Sequence, residues 1–195
     1  MINAIIFDFF GVVVGDGFDE TYRLAGGDPI KDRYFIKDLL EEANRALISP
    51  QEFRQKICDH LGIALENYSL ARQESETINT ELLGYIVDLK KKYKTALLSN
   101  VNRGGLERRI NRDVLSQHFD VIVESGEVGY IKPEPEIYKL TAQRLGVEPK
   151  GCVFIDDREP YVEAAKRVGM KAIVYRDFPS MRNALENLLA TSTDE

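Results

Sequence analysis

The chain reads as an α/β protein built on a doubly wound parallel sheet with a small helical insertion. Five short apolar runs are continuous rather than alternating, as expected of strands covered on both faces. Helical patterns with capping residues separate them. One stretch, residues 16–80, breaks this alternation and carries helical periodicity alone. At 195 residues the chain suits one core plus a modest insertion better than two full domains.

Taken in order, the first strand is expected over residues 4–8, where Ala-Ile-Ile-Phe leads into Asp8. In the insertion, Ile36, Leu39, Leu40, Ala43 and Leu47 recur at helical spacing. Ser49-Pro50-Gln51-Glu52 is a capping box with proline at the first helical position, and Phe53, Ile57 and Leu61 follow on one face. Ile78, Leu82, Ile86 and Leu89 form the stripe that leads into a second strand over 95–100. A third strand is expected over 121–124 and a helix over 137–145, stopped by Gly146. A fourth strand over 153–157, a helix over 161–168 stopped by Gly169, and a fifth strand over 172–175 complete the pattern. The arrangement predicted is Rossmann-like, with a core domain of residues 1–15 and 81–195 and a helical cap domain of residues 16–80. The cap enters at the carboxyl end of the first strand, where open α/β sheets bind ligands. Gly15, Asp16 and Gly17 are a candidate hinge.

Composition narrows the partners. A net charge of −6 repels phosphate backbones and anionic lipid, so neither nucleic acid nor a membrane is expected as a partner. Lys90–Lys94 and the cluster Arg103, Arg108, Arg109 and Arg112 read as solvated helix faces and ends. No apolar run is long enough to span a bilayer and the first residues lack a basic segment, so a cytoplasmic location is expected. Cys58 and Cys152 are too few for a disulfide framework. Cys152 reads as a core residue, and His60 and His118 as surface or capping histidines. Arg45 and Arg54 are equally compatible with substrate contact and with an exposed helix face.

The chemistry is concentrated where strands end. Asp8 interrupts an apolar stretch, and a charged group so placed needs a partner. Asp156-Asp157 closes another strand, and two adjacent carboxylates there repel unless a cation relieves them. Oxygen-only ligands suit magnesium. Ser99-Asn100 closes a third strand with a hydroxyl and amide donors, and Lys132 brings a positive charge. These residue types make a site for an anion held by metal and ammonium.

Four segments in order resemble the motifs of the haloacid dehalogenase superfamily, most of whose members are phosphatases: Phe7-Asp8-Phe9-Phe10-Gly11-Val12, Leu97-Leu98-Ser99-Asn100, Lys132-Pro133-Glu134-Pro135-Glu136-Ile137-Tyr138 and Phe154-Ile155-Asp156-Asp157. The third, with Ser99-Asn100-Val101-Asn102-Arg103, is most similar to the phosphatase domain of soluble epoxide hydrolases and to bacterial sugar-phosphate phosphatases. The resemblance implies a hydrolase acting on a small phosphorylated molecule. Asp8 would be its nucleophile. Ser99, Lys132 and the Asn100 backbone N–H would hold the phosphoryl group. The Asp8 and Asp157 carboxylates and the Phe10 carbonyl would hold Mg²⁺, with Asp156 behind them.

The chain departs from that pattern at Phe10, where most such phosphatases carry an aspartate as general acid and base. A phenyl ring cannot protonate a leaving alkoxide, and general acid–base help is worth about 10²–10⁴ in rate. Three readings therefore stand: a magnesium phosphatase without that acid, a catalytically impaired phosphate- or partner-binding protein, and a 2-haloacid dehalogenase-type hydrolase. An acidic metal pair at Asp156-Asp157 has no use in the last.

Overall fold

A computed structural model of the chain describes residues 1–15, 17–107 and 109–191. Strand β1 (Ala4–Phe7) is wholly buried, and its side chains divide between two cores. Ile5 and Phe7 enter one apolar cluster, Ala4 and Ile6 the other, the two-residue period of a strand with helices on both faces. With β2 (Lys94–Ser99), β3 (Val121–Glu124), β4 (Cys152–Asp156) and β5 (Lys171–Val174) it forms a parallel sheet of order β3-β2-β1-β4-β5. Each strand lies within one residue of its expected span. The chain winds one way through β2 and β3 and the other way through β4 and β5, so the order reverses between β1 and β4, the position at which such sheets bind ligands.

Between β1 and β2 come α1 (Gly17–Leu24), α2 (Arg33–Asn44), α3 (Pro50–Leu61) and α4 (Leu65–Ser75). They share an apolar cluster of their own, with Tyr22, Ile36, Leu39, Ile57, Cys58 and Tyr68 inside it. The capping box at α3 is formed as expected: the Glu52 N–H donates to Ser49 Oγ at 3.2 Å, and the Ser49 N–H donates to Glu52 Oε2 at 2.8 Å. Gly62, in the left-handed region at φ 66°, ends that helix. Two expected members of the apolar stripes fall outside them. Leu47 is 70% exposed beyond the end of α2, where Ala46 turns the chain at φ 57°. Ile78 precedes its helix, half-exposed, and forms an antiparallel bridge with Val14.

That bridge is the neck through which the chain leaves the sheet and returns. The Gly15 N–H donates to Thr77 O at 2.8 Å, and the Asn79 N–H to Val13 O at 2.9 Å. A Cβ on Gly15 would stand 3.1 Å from Ser75 O, so the two segments approach closely there. Of the candidate hinge, Asp16 lies outside the described residues.

The first cluster is covered by α5 (Thr80–Lys90), α6 (Arg112–His118) and, at the end of the chain, a helix over Phe178–Thr191. After α6 the chain passes through α7 (Ser125–Val128) to α8 (Pro135–Leu145) and α9 (Glu159–Arg167), which cover the second cluster. The Phe178–Thr191 helix is α10. Among the described residues no helix is long and apolar enough to cross a membrane.

Candidate active site

Three strand ends supply the polar groups. Asp8 follows β1 directly, and its N–H donates to Ile155 O on β4 at 2.9 Å, carrying the sheet pairing one residue further. Ser99 ends β2, Asp156 ends β4, and Asp157 follows. Asp8, Asp156 and Asp157 each offer an oxygen, and these oxygens lie within 4.8 Å of one another. Lys132, between α7 and α8, reaches into this group, with Nζ 2.7 Å from Asp8 Oδ1 and 2.7 Å from Asp156 Oδ2. Lys132 is 2% exposed and Asp8 5%, so the pairs are screened from water.

The backbone around Lys132 is held by Asn100. Its Oδ1 accepts the Lys132 N–H at 2.8 Å, and its Nδ2 donates to Lys132 O at 2.9 Å. The side chain expected only to offer amide donors thus positions the lysine. Asp156 is occupied at both oxygens, by Lys132 Nζ and by the Arg158 N–H at 2.9 Å. Asp8 Oδ1 accepts both Lys132 and the Phe9 N–H at 2.7 Å. Among the described residues nothing bonds to its other oxygen, Oδ2, which is left for a ligand. Ser99 Oγ is buried with no hydrogen-bond partner, an unmet polar group that costs about 1–3 kcal/mol unless something binds to it.

The cluster holds three carboxylates against one ammonium, and its titration reflects the shortfall of positive charge. Burial pushes the Asp8 carboxyl well above its ordinary range. Lys132 pulls it down, while Asp156 and Asp157 push it up. Burial works to lower the Lys132 ammonium, yet the charges and hydrogen bonds of Asp156 and Asp8 carry it above the usual lysine value. Both groups shift toward holding a proton, the behaviour of a site short of a cation. Gly11 makes room there. It sits at φ 78°, and a Cβ on it would come within 2.6 Å of the Asp157 carboxylate. All-oxygen donors at this separation fit a hard divalent ion such as Mg²⁺.

A cavity of about 690 Å³ opens onto Asp8, Ser99, Lys132 and Asp157, and its far wall comes from the inserted helices, with Ile36, Phe53 and Tyr68 among the lining. Phe10 lines it too, its ring edge-on to Phe9 at 5.0 Å. Over that ring, at 4.7 Å, stands the Arg109 guanidinium, which pairs with Glu76 at 3.0 Å and donates to Gly105 O at 2.9 Å. Arg109 is therefore not part of a solvated face: its side chain is 19% exposed and that of Glu76 14%. Arg112, 80% exposed, does match that expectation, and Arg108 lies outside the described residues. Nothing local in the sequence distinguishes Arg109 from Arg112; the contact that buries it comes from Glu76, 33 positions away.

Two further ties join the inserted helices to the sheet. Arg45 pairs with Glu134 at 2.6 Å, and Glu134 also accepts the Ile131 N–H at 2.9 Å beside Lys132. Ser125 Oγ donates to Asn44 O at 2.7 Å and accepts the Val101 N–H at 2.9 Å. His60 stacks on Phe35 at 3.9 Å and approaches Asp32 at 3.4 Å, and His118 Nδ1 lies 2.6 Å from Val114 O. Neither histidine lines the cavity.

The strand order thus reverses beside the carboxylates and the lysine, where open α/β sheets bind ligands. The chain belongs to the haloacid dehalogenase-like hydrolases, whose family model matches residues 2–169. It is 36% identical over 143 residues to the bifunctional epoxide hydrolase 2 of Rattus norvegicus, an alignment covering 67% of this chain and 25% of that protein. It is 31% identical to the fructose-1-phosphate phosphatase of Escherichia coli, over 89% of this chain and 96% of that one. Among solved structures, a variant of a family enzyme from Bacteroides thetaiotaomicron, in complex with magnesium and inorganic phosphate, superposes with a TM-score of 0.72. The two are 25% identical, over 90% of this chain and 95% of that chain.

Proposed function

We propose that the chain is a Mg²⁺-dependent phosphatase that hydrolyses small phosphorylated metabolites, sugar phosphates among them, through an aspartyl-phosphate on Asp8. The observation that carries the reading is the convergence of Asp8, Asp156 and Asp157 within 4.8 Å, with Lys132 2.7 Å from Asp8 and the unpartnered Ser99 hydroxyl at the same cavity. The phosphatase names among the relatives and the phosphate in the Bacteroides structure support it.

In this reading residues 16–80 act as a cap and residues 1–15 and 81–195 as the core. Mg²⁺, held by the Asp8 and Asp157 carboxylates and the Phe10 carbonyl, would neutralise charge as one anion approaches another. Asp8 Oδ2 forms a bond to phosphorus as the bond from phosphorus to the substrate oxygen breaks, and that oxygen leaves as the alcohol after taking up a proton. Ser99 Oγ–H, Lys132 and the Asn100 N–H hold the transferring group. Water then cleaves the aspartyl-phosphate, releasing inorganic phosphate and restoring Asp8. Asp156, engaged at both oxygens, orients Lys132 rather than binding the ion directly.

Phe10 is the departure with chemical consequences. Its ring supplies no proton, so the leaving oxygen must take one from water or be stable as an anion. Substrates with good leaving groups follow. Free, buried Cys58 and Cys152 accord with a cytoplasmic setting. Dehalogenation is disfavoured because three carboxylates around one lysine call for a cation that halide displacement does not need.

The test is phosphate release from a panel of phosphorylated metabolites and phosphate esters, with and without Mg²⁺, alongside halide release from a 2-haloacid, with Asp8→Asn as the blank. Metal-dependent release lost in Asp8→Asn is the expected result. Metal-independent halide release, or silence toward every substrate, overturns the reading.

A further inference from the structure

The cavity lining is rich in cations. Besides Lys132, six cationic side chains line it among the described residues, against Asp8, Asp19, Glu41, Glu76 and Asp157, in a chain whose net charge is −6. Most of the cationic groups are explained locally. Arg109 is paired with Glu76, Arg33 lies over the Tyr34 ring at 4.6 Å, and Arg158 lies over Tyr161 at 4.8 Å. Lys37 is exposed. Arg54 on α3 and Arg72 on α4 differ. Both are half-buried, both line the cavity, and among the described residues neither side chain has a carboxylate within ion-pair distance.

A half-buried guanidinium without a counter-charge is unfavourable in the empty protein and becomes favourable when an anion enters. Its planar fork suits carboxylate or phosphate. The two arginines are brought to one region by the packing of α3 on α4. Tyr68 on α4, buried in the cluster of the inserted helices, lines the same cavity. Burial pushes its hydroxyl up to about 12, while Arg109 and Arg72 pull it down and Glu76 pushes it up. The phosphoryl group is served at the other end by Ser99, Asn100 and Lys132, which leaves these arginines to serve the remainder of the substrate.

We propose that Arg54 and Arg72 form a second anion subsite, so that the preferred substrate carries a phosphoryl group at Asp8 and a second phosphate or carboxylate at its far end. The proposal rests on the phosphatase reading and names the substrate class within it.

It is tested by calorimetric binding of non-hydrolysable phosphonates to the Mg²⁺-loaded protein. The series compares alkylphosphonates of two to six carbons with their counterparts bearing a terminal phosphonate or carboxylate. At the best length the second anionic group tightens binding about tenfold or more. Arg54→Gln and Arg72→Gln each reduce that gain and the double variant removes it, whereas Arg182→Gln, on α10 and paired with Glu186, leaves it intact. No gain at any length, or a gain that survives the double variant, overturns the subsite. The readout is independent of turnover: silence toward all phosphate esters would refute the phosphatase reading while the phosphonate series still decides on the arginines.

Discussion

Replacing Asp157 by asparagine should stabilise the metal-free protein, although it removes a charged group from a site that uses charge. Among the described charges, Asp157 stands with its carboxylate within 4.8 Å of those of Asp8 and Asp156, and Lys132 pairs with both of these. At an effective dielectric near 20, two unit charges at that distance interact by about 3.5 kcal/mol. Two repulsions and one attraction leave roughly one repulsive pair. Because Asp157 is only half-buried, water reduces this to about 1–2 kcal/mol, or about 2–8 °C in Tm for a chain of this size. Asp8, its carboxyl held above the unfolded value by burial first, sets the pH dependence. A raised folded pKa contributes stability that is fully present below the unfolded pKa and is lost as pH rises through the folded one. The metal-free parent therefore weakens from acidic toward neutral pH, and the advantage of Asp157→Asn widens over the same range. Millimolar Mg²⁺ reverses the order, because an ion at a hundred times its Kd adds about 2.7 kcal/mol to the parent and little to a variant lacking a ligand. Thermal and urea denaturation in EDTA and in MgCl₂ measure all of this. A variant less stable than the parent in EDTA, or equal stabilisation of both by Mg²⁺, would refute the charge accounting.

Three other outcomes are expected. Without an acid at position 10, kcat/KM should fall steeply as leaving-group pKa rises across aryl, acyl and alkyl phosphates, and a flat series would show that another group donates the proton. Phe10→Asp should raise turnover of alkyl phosphates by up to about 10²–10⁴ and change aryl phosphates little; an unchanged alkyl rate at intact metal affinity would count against the role assigned to this position. Both thiols are buried, and burial raises both, that of Cys152 to about 11. A disulfide-exchange reagent at mildly alkaline pH should therefore label neither in the native protein and both in denaturant, and rapid native labelling would contradict the packing.

The sheet was legible in the sequence because strands buried on both faces leave uninterrupted apolar runs such as Ala4–Phe7. The site was legible for a related reason: Asp8, Ser99 and Asp156 are polar residues ending such runs, where burial makes an unpaired charge costly. Periodicity served less well at helix ends. Leu47 and Ile78 extend their stripes by simple spacing, but the stripe does not record where the helix stops. The α10 helix was not anticipated, although Phe178, Met181 and Leu185 lie on one face and Asp177 Oδ1 accepts the Ser180 N–H at 2.8 Å at its start. That signal was present in the sequence. The clamp of Asn100 on Lys132 and the seating of Arg109 on Phe10 were not, because each depends on segments brought together only by the fold.

Those two contacts bear on how the site is assembled. Lys132 is held from one side by Asn100 and from the other by Glu134, whose carboxylate receives the Ile131 N–H and also pairs with Arg45 at the end of α2. Phe10 lies under Arg109, which is paired with Glu76 at the end of α4. The inserted helices thus touch the core beside both Lys132 and Phe10. Neither tie is fully buried, so each contributes modestly, and the balance is one that a ligand can tip. Without these contacts Glu134 would lose Arg45 and Arg109 would lose Glu76, while Glu134 would keep the Ile131 N–H and Arg109 its bond to Gly105 O. On the proposed reading the inserted helices thus bear on the backbone beside Lys132 and on the ring at position 10, while Lys132 itself is held by Asn100, Asp8 and Asp156 from the core.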